Sequence, residues 1–267
     1  TITTEACTQY YEDGRQINDA INSAMAHAFD AIVSQEEAHL ERLFGESWQN
    51  LLPLSRASIV SASVLWQGCA GVTMPDFDYS GICISVTTAL EAELRRVFFD
   101  GFGDYLVEKY GAPETLAPED VFAIWPEKLL SMTQREYARA KKPKLKRQHV
   151  FTIGNLPFLL GERRERFSGA EQQALVQQRV AEYLATIVKP EFADAPREVF
   201  TAAHGGESFV DKCERIRNDY RNAAAHAQVV SRDQAIACYH AVIGRIGVYD
   251  HISGVTSALL ALYSVLK

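Results

Sequence analysis

The sequence predicts an all-α protein, and three observations carry that prediction. Apolar residues recur at helical spacing along most of the 267 residues. Alternating, strand-like runs are few. The periodic stretches are punctuated by Gly, Pro and Ser where helices stop and start. A composition of 47 % apolar and 23 % charged residues is that of a globular chain. No apolar run approaches the roughly 18 residues of a membrane helix, so a membrane partner is not expected.

The elements follow in order. Ile17, Ile21, Met25, Phe29, Ile32 and Val33 fall at helical spacing within residues 15–44, and Gly45 ends that helix. A second helix runs from Pro53 to about Trp66, with Gly68 and Gly71 beyond it. Residues 72–79 read as a loop, because Pro75 cannot continue a helix. From Ser80 to about Val107, Ile82, Val86, Leu90, Leu94, Val97, Phe98 and Leu106 form one stripe. Glu91, Glu93, Arg95 and Arg96 mostly flank it. Pro113, Pro118, Pro126, Pro143 and Pro157 then break residues 109–160 into short pieces, with helices expected at 118–125 and 126–141. This Pro-rich stretch reads as an insertion between core helices. Helix returns over 169–188, where Leu175, Val180, Tyr183, Leu184 and Ile187 face inward. It recurs over about 207–228, a helix that carries Phe209, Cys213, Ile216, Tyr220 and Ala223/Ala224. A helix at 232–248 has Ser231 as its N-cap, and a last apolar helix covers 252–266. The domain reading is an N-terminal helical extension, 1–72, packed on a helical domain, 73–267.

Composition also narrows the setting. Thr1–Asp13 is polar and has no signal-peptide pattern. The chain lacks an initiating Met, so it is expected to be a processed chain or one part of a longer polypeptide. Cys7, Cys69, Cys83, Cys213 and Cys238 are odd in number, far apart and never in C-x-x-C spacing. That argues against a disulfide framework or a cysteine zinc site, and for a cytoplasmic protein with reduced thiols. With 27 basic and 34 acidic residues the net charge is −7, which excludes an overall basic nucleic-acid coat.

Absent motifs exclude several chemistries. There is no Walker-type loop, no strand-anchored G-x-G-x-x-G, no G-x-S-x-G and no H-E-x-x-H. Glu36-x-x-His39 puts a carboxylate and an imidazole on one helix face, but a di-iron bundle needs a second such motif. A solvated helix face is the better reading. No metal site or cofactor is expected.

Two segments carry chemistry. Residues 135–147 hold net charge +6, so the rest of the chain carries −13. Arg139, Lys141, Lys142, Lys144, Lys146 and Arg147 are candidate RNA-phosphate contacts within it, against the alternative of a solvated loop. The second segment is Arg221-Asn222-Ala-Ala-Ala-His226. Asn222 and His226, four residues apart, share a helix face, and the small alanines between them let another helix approach. An arginine is a permanent cation for phosphate. A histidine exchanges protons near neutral pH, and an asparagine orients its neighbours. The competing reading is a helix end whose His complements the dipole.

Arg221-Asn222-x3-His226 resembles the signature of the HEPN superfamily, whose ribonuclease members carry Arg-x(4–6)-His, often with Asn after the Arg. Residues 216–226 resemble that family's penultimate long helix. Ser85–Arg96 resembles an earlier core helix on which members often keep an acid, and Phe151-Thr-Ile-Gly-Asn-Leu156 resembles the Thr-hydrophobic-Gly opening of a later element. The resemblance covers roughly 80–108 and 150–250, leaving 1–72 and 109–149 unexplained.

It implies an up-and-down helical bundle, extended here by N-terminal helices and a Pro-rich, basic insertion. It also implies a homodimer in which two Arg-x4-His helices face each other over one RNA-cleaving cleft. Arg221 would stabilise phosphate, His226 would act as acid and base, and Asn222 would position them. Glu91, Glu93 and Arg217 are supporting candidates. The expected activity is a metal-independent endoribonuclease, a toxin or anti-phage effector held in check by an antitoxin or fused sensor. The alternative is a non-catalytic module for nucleotide or RNA binding, or for dimerisation. Ala223 stands where one toxin subgroup has a Tyr three residues before the His, so control by modification of that Tyr is not expected.

Overall fold

The computed structural model describes residues 29–69, 77–130, 134–135, 151–160, 162–163, 170–203, 206–226, 229–244 and 257–267. The chain is predominantly helical, as its periodicity predicts. Among the described residues there is no strand, and an antiparallel bridge pairs Val188 with Leu266.

Helix α1 covers 29–44 and stops at Gly45, whose φ of +57° suits a residue without a β-carbon. It buries Glu36, Leu40 and Phe44. Glu36 is a correction to the solvated face expected for Glu36-x-x-His39. Its carboxylate accepts hydrogen bonds from the Ser63 hydroxyl and the Gln67 amide. Glu36 sits four residues before Leu40 and eight before Phe44, so the helix repeat itself carries it inward.

A short α2 (Ser47–Asn50) leads to α3 (Pro53–Cys69), which runs a few residues past the expected end. Its buried face is Ser55, Ile59, Val60, Ala62 and Ser63. Small residues there let α3 lie close along α4 (Ser80–Leu94), and the Ser55 hydroxyl donates to the Ala89 carbonyl at 3.3 Å. All seven residues of the predicted stripe are buried.

The predicted long helix continues to Tyr110 but is not uniform. A π turn, Arg95–Asp100, separates α4 from α5 (Gly101–Tyr110), and the Gly101 N–H bonds back to the Arg96 carbonyl. The buried Tyr183 hydroxyl donates to the Val97 carbonyl inside this turn at 2.6 Å. Gly101 makes room for it, since a β-carbon there would strike that hydroxyl.

The Pro-rich stretch supplies α6 (Pro118–Ile124), a 3-10 turn at Glu127–Leu129 in place of a helix from 126, and α7 (Leu156–Leu159). It contributes Val121, Trp125, Leu130, Phe151, Ile153, Leu156 and Leu159 to the same core as the long helices. Of the rest of the second expected helix, residues 134–135 are helical, while 131–133 and 136–141 lie outside the described residues. The long α8 (Ala170–Ile187) packs on α5 and α6. Phe200 of α9 (Glu198–Thr201) stacks edge-on against Phe98.

A late helical run follows: α10 (Phe209–Ile216), a second π turn at Arg217–Arg221, and α11 (Asn222–Ala225). Next come α12 (Arg232–Val242) and α13 (Ala258–Val265). Ser231 caps α12 as predicted, its hydroxyl accepting from the Gln234 N–H. The described helix ends at Val242, earlier than the expected 248, and Gly244 follows with φ +117°. Helix α4 is the axis of the arrangement, touching α3, α11 and α12.

Candidate functional site

The late helical run opens with a capping box. Ser208 accepts the Asp211 N–H at 3.0 Å, and the Asp211 carboxylate accepts the Ser208 N–H at 3.3 Å. Phe209, Cys213 and Ile216, at four- and three-residue steps, bury one face. Beyond Ile216 the polar run Arg217–Arg221 winds into the π turn, in which the Asn222 N–H bonds to the Arg217 carbonyl. Such turns re-aim side chains by adding a residue to one coil and are frequent at functional sites. After it, Ala224 is buried against α4, as three consecutive alanines permit.

Arg221 points across to α4. Its Nε lies 3.5 Å from Oε1 of Glu91, and their side chains are 35 % and 22 % exposed. That Glu91 oxygen is buried and makes no hydrogen bond among the described residues. A desolvated carboxylate oxygen needs a compensating charge, and Arg221 supplies it. Of the two acids flagged on α4, Glu91 is therefore the one at Arg221. Glu93 is not at the site. It is wholly buried, accepts the Leu52 N–H at 2.7 Å, lies 2.6 Å from the Tyr263 hydroxyl and pairs with Arg96 at 3.0 Å.

Asn222 is half-buried one turn before His226, which ends α11 with its N–H bonded to the Asn222 carbonyl at 3.1 Å. His226 is exposed. Within one chain the side chains of Arg221, Asn222 and His226 are not linked to one another by a hydrogen bond or ion pair among the described residues. Arg221 faces α4, and His226 sits at the open helix end. On an ideal helix, residues five apart diverge by about 140°, which accounts for the separation.

The chain beyond His226 is tied to the start of α4. The Asp78 carboxylate accepts the Val230 N–H at 3.0 Å, the Ser80 N–H at 3.0 Å and the Ser80 hydroxyl at 2.8 Å, while the Tyr79 N–H donates to the Val230 carbonyl. The bond from Val230, ahead of those from Ser80, holds the Asp78 carboxyl below its usual range. Sequence reasoning missed Asp78. Its signal is the Asp-x-Ser spacing directly before a helix.

Arg217 lies on the same late run, half-buried, with its guanidinium against Gly154. The Thr-Ile-Gly segment and the Arg-x4-His segment, separate in sequence, thus meet in space. Arg163 nearby pairs with Glu214 at 2.7 Å. The RNA-phosphate candidates Arg139, Lys141, Lys142, Lys144, Lys146 and Arg147 lie outside the described residues. Among the described residues no group of three His, Cys, Asp or Glu side chains is arranged to hold a metal ion. A surface pocket lined by Phe122, Glu171 and Gln178 shares no residue with this site.

No family model matches the chain, and the curated proteins and the solved structures likewise gave no match.

Proposed function

We propose that the chain is a metal-independent endoribonuclease of the HEPN type, working as a homodimer in the cytoplasm. The observation that carries this reading is the division of labour on one helical run. Arg221 is held against Glu91 on α4, while His226 stays exposed one short helix later. A guanidinium restrained by a carboxylate is pre-oriented for a phosphate, and an exposed imidazole is free to move protons. Because the two diverge within one chain, a composite cleft needs a second copy to bring an Arg221 and a His226 to one linkage. Ile84, seven residues before Glu91 on α4 and 44 % exposed, and Val229, 65 % exposed, put apolar surface beside the site for that copy to cover.

The chemistry uses the RNA's own nucleophile. The 2′-oxygen forms a bond to the neighbouring phosphorus and gives its proton to a His226 imidazole. The bond to the 5′-oxygen breaks, and that oxygen takes a proton from a protonated His226 of the pair. The products are a 2′,3′-cyclic phosphate and a 5′-hydroxyl. Arg221 offsets the charge that builds on the phosphoryl oxygens, and Asn222 orients its neighbours. A toxin or anti-phage effector with an inhibitory antitoxin or fused sensor is the biological role that fits such an activity, since unrestrained RNA cleavage kills its host.

The test is incubation of the purified chain with RNA in EDTA. Fragments ending in cyclic phosphate are expected, and Arg221→Ala or His226→Ala abolishes them. Cleavage lost on adding chelator overturns the metal-independent mechanism. The lack of a direct link between Arg221 and His226 in one chain favours a second reading, a non-catalytic HEPN-like binding module. Intact RNA with retained binding would establish that one instead.

A further inference from the structure

Arg217 is a cation without an assigned partner. Its Cδ, Cζ and Nη1 crowd the face of Gly154 so closely that a β-carbon at 154 would collide with the guanidinium. Gly154 is not among the glycines with positive φ, so its value there is space, not backbone conformation. Of the acids near this run, Asp219 sits exposed on the turn itself and pairs with no cation among the described residues, Asp211 closes the capping box, and three others are engaged elsewhere. Glu214 holds Arg163 at 2.7 Å, Glu207 holds Arg215 at 2.8 Å, and Glu91 faces Arg221. Among the described residues no carboxylate pairs with Arg217 and no hydrogen bond fixes its guanidinium. A half-exposed arginine that makes no ion pair among the described residues, lying against the open face of a glycine in a chain of net charge −7, is placed for an anion that the protein does not supply.

Arg217 and Arg221 bracket the second π turn. Four residues apart within the turn whose closing bond runs from the Asn222 N–H to the Arg217 carbonyl, they leave the backbone about one helical pitch apart, roughly 5 Å. That is comparable to one step between phosphates along a single strand. We infer that Arg217, seated on Gly154, binds a second RNA phosphate, adjacent to the one held at Arg221. The inference rests on the nuclease reading for the identity of the strand. It makes the substrate an unpaired segment of at least two successive phosphates, held by a pair of guanidiniums on one helical run. Arg217 is a positioning residue, since it sets the register of the strand and takes no part in the bond changes.

The experiment measures binding of a short, uncleavable 2′-O-methyl RNA to the full chain by fluorescence anisotropy across a salt series. Arg217→Ala is expected to weaken binding about tenfold, the scale of one lost charged hydrogen-bond set. It should also flatten the dependence of log affinity on log salt by about 0.7, the contribution of one phosphate on a single strand. Arg217→Lys should keep the slope, because it keeps the charge. Gly154→Ala should weaken binding with Arg217 still present, and a thermal melt checks that each variant is folded. Unchanged affinity and slope in folded Arg217→Ala overturn the inference, as does a wild-type chain that binds no RNA. A wild-type chain that binds but cuts nothing sinks the nuclease reading and leaves this phosphate site standing if Arg217→Ala still flattens the slope.

Discussion

Glu91 faces Arg221 across the contact between α4 and the second π turn, with Oε1 3.5 Å from Nε. The distance is that of an ion pair without a well-formed hydrogen bond, and both side chains retain some solvent. Pairs of this kind stabilise a fold by about 0–1 kcal/mol. Glu91→Gln should therefore shift the melting midpoint by less than about 3 °C for a chain of this size. RNA cleavage should fall by at least about tenfold, because the amide no longer fixes the guanidinium electrostatically. Melting curves and chelator-treated cleavage assays on the same preparation check both halves. Full activity in Glu91→Gln would mean that Arg221 is oriented by something else.

Two positions away, Glu93 predicts the reverse pattern. Its carboxylate is wholly buried between the Leu52 N–H, the Tyr263 hydroxyl and Arg96, and it ties the α2–α3 junction and α13 to α4. Removing one partner of a buried charged cluster costs about 3–5 kcal/mol, so Glu93→Ala should be strongly destabilised. Tyr263→Phe should lose less, about 1.5–3 kcal/mol, the cost of one hydrogen bond to a charged group. Urea unfolding measures both. Retained RNA binding in Tyr263→Phe would separate this structural cluster from the site, whereas near-wild-type stability in Glu93→Ala would contradict the clasp.

Asp78 makes the region beyond His226 sensitive to acid. The Val230 N–H holds its folded-state carboxyl below the usual range, so folding favours the ionised form. The resulting stabilisation is complete above the unfolded carboxyl's value, near pH 4. It is lost as pH falls through the lower folded value. Hydrogen exchange at Tyr79 and Val230, followed from about pH 5 downward, should show that contact opening in acid. In Asp78→Asn the same amides should exchange faster at neutral pH, with less further change in acid. Identical pH profiles for wild type and variant would remove Asp78 from the mechanism of that opening.

The helices were legible in the sequence because period and punctuation act locally. The stripe from Ile82 to Leu106, the stop at Gly45 and the cap at Ser231 all follow from residues within a few positions of one another. What periodicity could not supply was the partner on another element. Glu36 and Glu93 look like surface acids by residue type, yet Glu36 shares the register of Leu40 and Phe44, and Glu93 that of Leu90 and Val97. Their burial becomes intelligible only with Ser63 and Gln67, or Tyr263 and Leu52, in place. The two π turns have no motif of their own. One answers to Tyr183, far along the chain, and the other frames Arg217 and Arg221. At the candidate site the sequence located the late helix and the acid-bearing helix opposite. The choice between Glu91 and Glu93, the seat at Gly154 and the Asp78 tie needed the packed chain.

The first π turn yields the sharpest packing prediction. Burial pushes the Tyr183 hydroxyl up to about 12, so it remains a donor across the ordinary pH range, and it donates to the Val97 carbonyl at 2.6 Å. Tyr183→Phe leaves that buried carbonyl without its partner, at a cost of about 1–3 kcal/mol. Gly101→Ala acts from the other side: its methyl group would overlap the same hydroxyl and sit 3.1 Å from the Arg96 carbonyl. Overpacking of this kind costs about 1–3 kcal/mol. Once Tyr183→Phe has removed the oxygen, however, the alanine methyl meets only the Arg96 carbonyl and the ring edge, so the second substitution should cost less than it does alone. Urea unfolding of the two single variants and the double variant should give a coupling of about 1 kcal/mol, in the direction of mutual rescue. Strict additivity would mean that Gly101 is set by the Arg96 carbonyl alone, and that the hydroxyl is not what shapes the turn.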